Sequence, residues 1–321
     1  MTKKILVTYQ LPKIGLKELM ERFEVTYPDK KTFSKQEVIS MIHQYDGILA
    51  AGMGLDSNMI KLGKKLKIIS VYGAGYDKID VEAATSAGIV VTNTPDAVTE
   101  STAEIAFGLM LAVMRRIAEC DRRLRLESNF RWGMMENLGT NLYGKLLGIV
   151  GMGRIGKAVA KRAKAFGMDI CYYNRRRLGE NTERELGASY YTLEELLEKS
   201  DVVSLNVPLT EETYHLIGKE QLDRMKPTAF IINTSRGSVI DEQVLVKYLQ
   251  EGRIAGAGLD VFEHEPKIPQ ELLRMDRVVL TPHIGTATLE ARIQMAEAAS
   301  RNIVDYFAGR ELRYIVNPEV L

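Results

Sequence analysis

The sequence predicts an α/β chain of two doubly wound, parallel-sheet domains. Three observations predict it. Short apolar strands alternate with helical patterns along nearly the whole length. The apolar run Leu146–Val150 enters the glycine pattern Gly151-Met152-Gly153-Arg154-Ile155-Gly156. A chain of 321 residues, 45% hydrophobic and 26% charged, is long enough for two cores. Lysine plus arginine, 43, balance aspartate plus glutamate, 42, to a net charge of +1. No global field therefore recruits nucleic acid or an anionic membrane, and any phosphate binding must be local. The apolar run after Lys3 and Lys4 is too short for a signal-peptide core, and no later stretch is expected to approach a membrane span, so a cytoplasmic protein is expected. Cys120 and Cys171 form neither a CxxC pair nor a disulfide framework and read as reduced packing residues.

Taken in order, residues 4–9 (KILVTY) read as a strand and residues 14–23 as an amphipathic helix. Ser34-Lys35-Gln36-Glu37 is a capping box opening a helix through Tyr45. Residues 47–51, 67–71 and 89–93 are short strands, with a helix over 81–87 closed by Gly88. Ser101-Thr102-Ala103-Glu104 reads as a second capping box, opening one long helix that runs apolar to Val113 and ends in the basic stretch Arg115 to Arg125. Residues 129–144 carry the single tryptophan, Trp132, and show no period. Strands follow over 146–150, 169–173, 201–207, 229–233, 254–260 and 278–280, separated by helices over 157–166, 193–199, 219–225 and 242–250. That is a six-strand nucleotide-binding layout of the Rossmann type, with ligands expected beyond the carboxyl ends of the strands. A helix over 288–307, stopped by Gly309, closes the chain.

The glycine pattern has a physical meaning. Gly151 permits the turn out of the strand, Gly153 lets backbone approach a pyrophosphate, and Gly156 lets the helix pack on the strand. The free amides that open the helix, through Arg154 and Ile155, hold the phosphates. An NAD site normally places an acid after the second strand; here Tyr173 is followed by Asn174-Arg175-Arg176-Arg177. No acid stands there, and Arg175 or Arg176 is placed to grip a 2′-phosphate through paired hydrogen bonds. NADP(H) is expected to be preferred, with NAD(H) possible.

Three further strand-end stretches carry polar groups: Asn233-Thr234-Ser235-Arg236-Gly237, the run from Gly258 to Pro266 (GLDVFEHEP), and Thr281-Pro282-His283-Ile284-Gly285. With Val71 to Asp80 (VYGAGYDKID) and the glycine motif, these resemble the D-isomer-specific 2-hydroxyacid dehydrogenase family, with five motifs in the family's order over nearly the whole chain. The resemblance implies a catalytic triplet of Arg236, Glu265 and His283. Arg236 would bind the substrate carboxylate, His283 would donate a proton to the carbonyl oxygen, and Glu265 would hold the imidazolium. It implies that backbone amides of Ala74 and Gly75 help grip the carboxylate and that domain closure completes the site. It places Thr102, Pro208, Thr234, Asp260 and Gly285 near the cofactor. It also implies a homodimer built on residues 99–145, in which Trp132 either reaches a neighbouring pocket or packs at the interface. A flavodoxin-like substrate-binding lid, 1–98 with 288–321, and a dinucleotide-binding domain, 99–287, are the expected division.

The other histidines, His43, His215 and His264, are expected to be ordinary residues, and no metal site is expected. The leading expectation is NADPH-dependent reduction of a small 2-keto acid: glyoxylate, hydroxypyruvate or 2-ketogluconate. An NAD-dependent D-3-phosphoglycerate or D-lactate type dehydrogenase is the alternative within the class, disfavoured by the basic loop. A dinucleotide-sensing, corepressor-like binding protein is the alternative outside it.

Overall fold

In the computed structural model, which describes residues 2–321, the chain forms two units: Met1–Val98 with Thr286–Leu321, and Thr99–Gly285. In the first, strands β1 (Lys4–Val7), β2 (Glu24–Thr26), β3 (Gly47–Ala50), β4 (Ile68–Val71) and β5 (Val90–Thr92) form a parallel sheet in the order β2-β1-β3-β4-β5. This is the flavodoxin-like order, in which apolar strands are buried on both faces. Period-two alternation divides the core. Leu6, Ile48 and Ile69 face one layer, while Ile5, Val7 and Ile68 pack with Ala296, Ala299 and Ile303 of the terminal helix Leu289–Phe307. The Ser34 box forms as expected: Glu37 N–H donates to Ser34 Oγ at 3.3 Å, and Ser34 N–H donates to the Glu37 carboxylate at 2.7 Å.

In the second unit, β6 (Leu146–Val150), β7 (Asp169–Tyr173), β8 (Ala188–Tyr190), β9 (Val202–Leu205), β10 (Phe230–Asn233), β11 (Gly256–Leu259) and β12 (Val278–Leu280) form a parallel sheet ordered β12-β11-β10-β9-β6-β7-β8. The order reverses between β6 and β9, which is where a doubly wound sheet opens a crevice for a ligand. Helices Thr99–Met114 and Arg154–Ala165 cover one face, with Phe107, Met110 and Val159 against Leu147 and Ile149. Helices Leu193–Lys199, Lys219–Arg224 and Glu242–Gln250 cover the other, with Leu196, Leu222 and Leu245 among the residues packed with Val150 and Val203.

Four expectations are corrected. The second sheet has seven strands rather than six: helix Glu180–Leu186 and the three-residue β8 stand where no element was read, and β8 is held by pairing to β7 rather than by any apolar run of its own. Ser101 to Glu104 do not cap a helix; they lie inside Thr99–Met114, which continues directly from a 3-10 turn at Asp96–Val98. Nor does that helix run on to Arg125. It breaks at Arg116 (φ 56°), because the chain at Gly139–Thr140 crosses its end and the Thr140 N–H takes the Met114 carbonyl at 2.7 Å. A separate helix, Ile117–Leu126, follows, in which Arg123 pairs with Glu119 and Glu127, Arg125 with Asp121 and Arg122 with Asp276. Finally, Asp96–Met114, 19 residues with mean hydropathy 1.4, is long and apolar enough to cross a membrane. Its apolarity serves the interior, since 56% of that window is buried and Leu109 presses so closely on β11 that a Cβ on Gly258 would lie 2.9 Å from it.

Candidate active site

The glycine turn adopts the geometry its sequence requires. Gly151 has φ 96°, and a Cβ there would stand 2.6 Å from the Asn206 carbonyl oxygen at the end of β9. A Cβ on Gly156 would stand 2.3 Å from the Gly151 carbonyl oxygen, so helix and turn touch only because both are glycine. Gly153, the N-cap of Arg154–Ala165, has open space on its side-chain face and offers no side-chain cap, an N-terminus of the kind that suits an anionic group. Ile155 is half-buried against the core beside the turn, and Arg154 opens the helix. This cradle fits a pyrophosphate.

At the end of β7 the Met152 N–H donates to Asn174 Oδ1 at 2.7 Å, tying the next loop to the glycine turn. Arg175 and Arg176 are exposed; Arg175 lies 3.6 Å from Glu212, and Arg176 has no ion-pair partner among the described residues. Arg177 is committed elsewhere, both arms on Glu183 at 2.9 Å.

Beyond β10, buried Asn233 shapes the next loop: its Nδ2 donates to the Arg236 carbonyl at 2.9 Å, and its Oδ1 accepts from Ser235 N–H at 3.0 Å. Thr234 is half-buried inside this loop. Arg236 is half-buried, with Nη1 on the Ser235 carbonyl at 2.8 Å. A Cβ on Gly237 would lie 1.9 Å from the Phe262 carbonyl carbon, so the Arg236 loop rests directly on the loop carrying Glu265. Glu265 accepts the Phe262 N–H at 3.2 Å, and its two carboxylate oxygens stand 3.1 and 3.0 Å from His283 Nδ1. A carboxylate holding Nδ1–H leaves Nε2 as the working nitrogen of an imidazole that is 49% exposed.

His283 adopts φ 53°, a left-handed conformation that a β-carbon disfavours. Asp260, 1% exposed, holds it there. Its carboxylate accepts from Thr281 Oγ1 at 2.6 Å, Ile284 N–H at 2.7 Å and Gly285 N–H at 2.8 Å, while its carbonyl accepts the His283 N–H at 2.8 Å. Thr102 packs against Gly285: a Cβ there would meet Thr102 at 3.5 Å and Asp260 Oδ2 at 3.2 Å. The Pro208 carbonyl, after β9, accepts from Thr213 Oγ1 at 2.6 Å.

Ala74 and Gly75 lie in the first unit, after β4. Thr94 brackets Gly73 there, and Asn93 Nδ2 donates to the Ala74 carbonyl at 2.7 Å. Among the described residues neither the Ala74 nor the Gly75 N–H has a protein acceptor. Trp132 is 82% exposed in the irregular stretch after helix Ile117–Leu126, edge-on to Phe130.

One histidine expected to be ordinary is not. His215 Nε2 stands 2.8 Å from Glu263, Tyr214 stacks on its ring at 4.0 Å, and its N–H donates to the Ser238 carbonyl. It thereby ties the stretch after β9 to the residues flanking both Arg236 and Glu265. The Glu263 N–H in turn donates to buried Glu242, whose carboxyl is pushed up by burial and by the Glu263 charge. The available signal was Glu263 itself, two positions before Glu265.

A nucleotide crevice, a carboxylate-held imidazole and a guanidinium on adjoining loops define an oxidoreductase of the dinucleotide-binding class. Residues 107–285 match the model of the D-isomer specific 2-hydroxyacid dehydrogenase NAD-binding domain. The chain belongs to that family. It is 48% identical over 326 residues to the glyoxylate reductase of Korarchaeum cryptofilum, covering 100% of this chain and 98% of that protein. It is 47% identical over 327 residues to the glyoxylate reductase of Thermococcus litoralis, at the same coverage. Among solved structures, it resembles the NADPH-dependent glyoxylate/hydroxypyruvate reductase of Sinorhizobium meliloti in complex with NADP and malonate, with 34% identity, TM-score 0.88, and 99% and 98% of the two chains covered.

Proposed function

We propose that this protein is an NADPH-dependent reductase that converts a small 2-keto acid, glyoxylate or hydroxypyruvate first and 2-ketogluconate next, to its 2-hydroxy acid. The observation that carries the reading is the His283–Glu265 pair at 3.0 Å on the loop next to Arg236. Bound dinucleotide supplies the hydride to the keto carbon. Arg236 grips the substrate carboxylate through its planar fork and polarises the neighbouring carbonyl, assisted by the amides of Ala74 and Gly75. His283 Nε2–H delivers the proton to the carbonyl oxygen, and takes it back in oxidation. Glu265 holds and orients the imidazole through its Nδ1.

Gly151, Gly153, Arg154 and Ile155 hold the pyrophosphate, and Asn174, Arg175 and Arg176 form the ribose end of the site. Thr102, Pro208, Thr234, Asp260 and Gly285 complete the cofactor wall. In this reading residues 99–287 are the dinucleotide-binding domain, and 1–98 with 288–321 the substrate-binding lid. The protein works in the cytoplasm as a homodimer, with the exposed apolar stretch around Trp132 at the interface or in the neighbouring pocket.

Steady-state NADPH oxidation over glyoxylate, hydroxypyruvate, 2-ketogluconate, pyruvate and phosphohydroxypyruvate tests the reading. Turnover is expected on the first two, with kcat/KM higher for NADPH than NADH. A preference for NADH overturns the cofactor assignment, and silence on every substrate favours a dinucleotide sensor. His283→Ala should lower kcat about 10²- to 10⁴-fold while NADPH binding survives; near-normal turnover removes His283 from its role.

A further inference from the structure

The loop that carries Arg175 and Arg176 is fastened at both ends. At its start, the Asn174 side chain holds the Met152 N–H, and the Asn174 carbonyl accepts from the Tyr190 hydroxyl at 3.3 Å. At its end, the Leu178 N–H donates to the Tyr172 hydroxyl oxygen at 2.8 Å, and that hydroxyl donates to Glu183 at 2.6 Å. Glu183, its side chain 11% exposed, also receives Nε and Nη2 of Arg177. The circuit is packed as well as bonded. The fully buried Tyr172 ring meets Tyr190 edge-on at 5.5 Å, and the Arg177 guanidinium lies 5.8 Å over the Tyr190 ring.

Charge reinforces it. Arg177 and the Tyr172 hydroxyl hold the Glu183 carboxyl down at about 2, so it stays an anion at neutral pH. Burial, with the Glu183 hydrogen bond, pushes the Tyr172 phenol up to about 12, so it stays a donor. The three consecutive arginines thus differ in their partners, though all are exposed: both arms of Arg177 are taken by Glu183, while Arg175 lies 3.6 Å from Glu212 and Arg176 has no ion-pair partner among the described residues.

We propose that Tyr172 and Glu183 are positioning residues for dinucleotide selection, fixing the loop so that Arg175 and Arg176 alone meet the 2′-phosphate. The inference rests on the NADPH reading above. A guanidinium grips phosphate bidentately only from a defined backbone, and a loop ordered before binding spends none of the binding energy on its own ordering. Neither residue touches the ligand; both act through the loop.

The test uses the full chain and direct calorimetric binding of two fragments: 2′,5′-ADP, which carries the 2′-phosphate, and 5′-AMP, which lacks it. The wild-type protein is expected to bind 2′,5′-ADP at least about tenfold tighter. Tyr172→Phe and Glu183→Gln should each weaken 2′,5′-ADP about five- to tenfold, leave 5′-AMP within about twofold, and lower the hydrogen-exchange protection of the Leu178 amide. A parallel loss for both fragments, or unchanged selectivity, overturns the proposal, as does lost selectivity with Leu178 still protected. Should one variant fail to fold, the other decides by the same readings. Equal binding of the two fragments by the wild-type protein overturns the NADPH reading and the proposal with it. Strong wild-type selectivity that survives both substitutions overturns the positioning role alone.

Discussion

His283 is held in a left-handed backbone conformation, φ 53°, that costs an ordinary residue about 1–3 kcal/mol and persists only where its surroundings impose it. Asp260 imposes it through four hydrogen bonds on the segment Thr281 to Gly285. Asp260→Ala leaves the part-buried Ile284 amide and the buried Gly285 amide without their acceptor and should destabilise the protein by about 3 kcal/mol. It should also lower kcat, read as a drop in melting temperature together with the kinetic loss; unchanged turnover would show that His283 needs no such support. Gly237→Ala places a carbon 1.9 Å from the Phe262 carbonyl carbon, where only backbone movement relieves the clash. It should cost about 3 kcal/mol, measured by denaturant unfolding. Arg236, Glu265, His283 and the three glycines stand out in the sequence as candidates because each sits in a local motif whose residue types state a chemistry. The work that Asp260 does for the His283 loop was not legible, since its partners lie 21 to 25 positions away. The His215–Glu263 pair was hidden for the same reason, its members standing 48 positions apart in sequence.

At the scale of elements, a cap-like pattern starts a helix where the backbone before it is extended, as it is at Ser34. The Ser34 box starts helix Lys35–Met41, and Ser34→Ala should cost about 1 kcal/mol, visible as a lower melting temperature. The superficially similar Ser101 to Glu104 pattern is interior to its helix, because the preceding turn already supplies helical backbone. Helix Glu180–Leu186 carries an acid whose titration is coupled to folding. Glu183 titrates near 2 in the folded protein and near 4.5 when unpaired, so its stabilisation is complete above about pH 4.5 and fades as pH falls toward 2. The melting-temperature gap between wild type and Glu183→Gln should therefore be largest near neutrality and shrink between pH 5 and 2. A gap that does not vary with pH would mean the carboxylate contributes through shape rather than charge.

For the whole molecule, the exposed apolar side chains of Trp132, Met134, Met135 and Tyr143, from 79% to 96% exposed, cluster in one stretch of chain. In the proposed function this stretch lies at the subunit interface, where its exposed apolar side chains would be covered. The proposed homodimer predicts a particle of twice 36.0 kDa in sedimentation, shifted toward monomer by Met135→Lys. A wild-type protein that sediments as a monomer at all concentrations rejects it. By itself, the sequence determined the class of fold and pointed to the glycine turn after β6, the basic loop after β7 and the residue types of the candidate site. Each of these is written in residues adjacent along the chain, where periodicity, turn chemistry and charge act locally. The tertiary structure decided the strand order with its seventh strand, the break at Arg116, the burial of the apolar helix Thr99–Met114, and the partners that orient His283 and sort Arg175 to Arg177. Those depend on contacts between residues far apart in sequence, whose energies exist only once the sheet has brought them together.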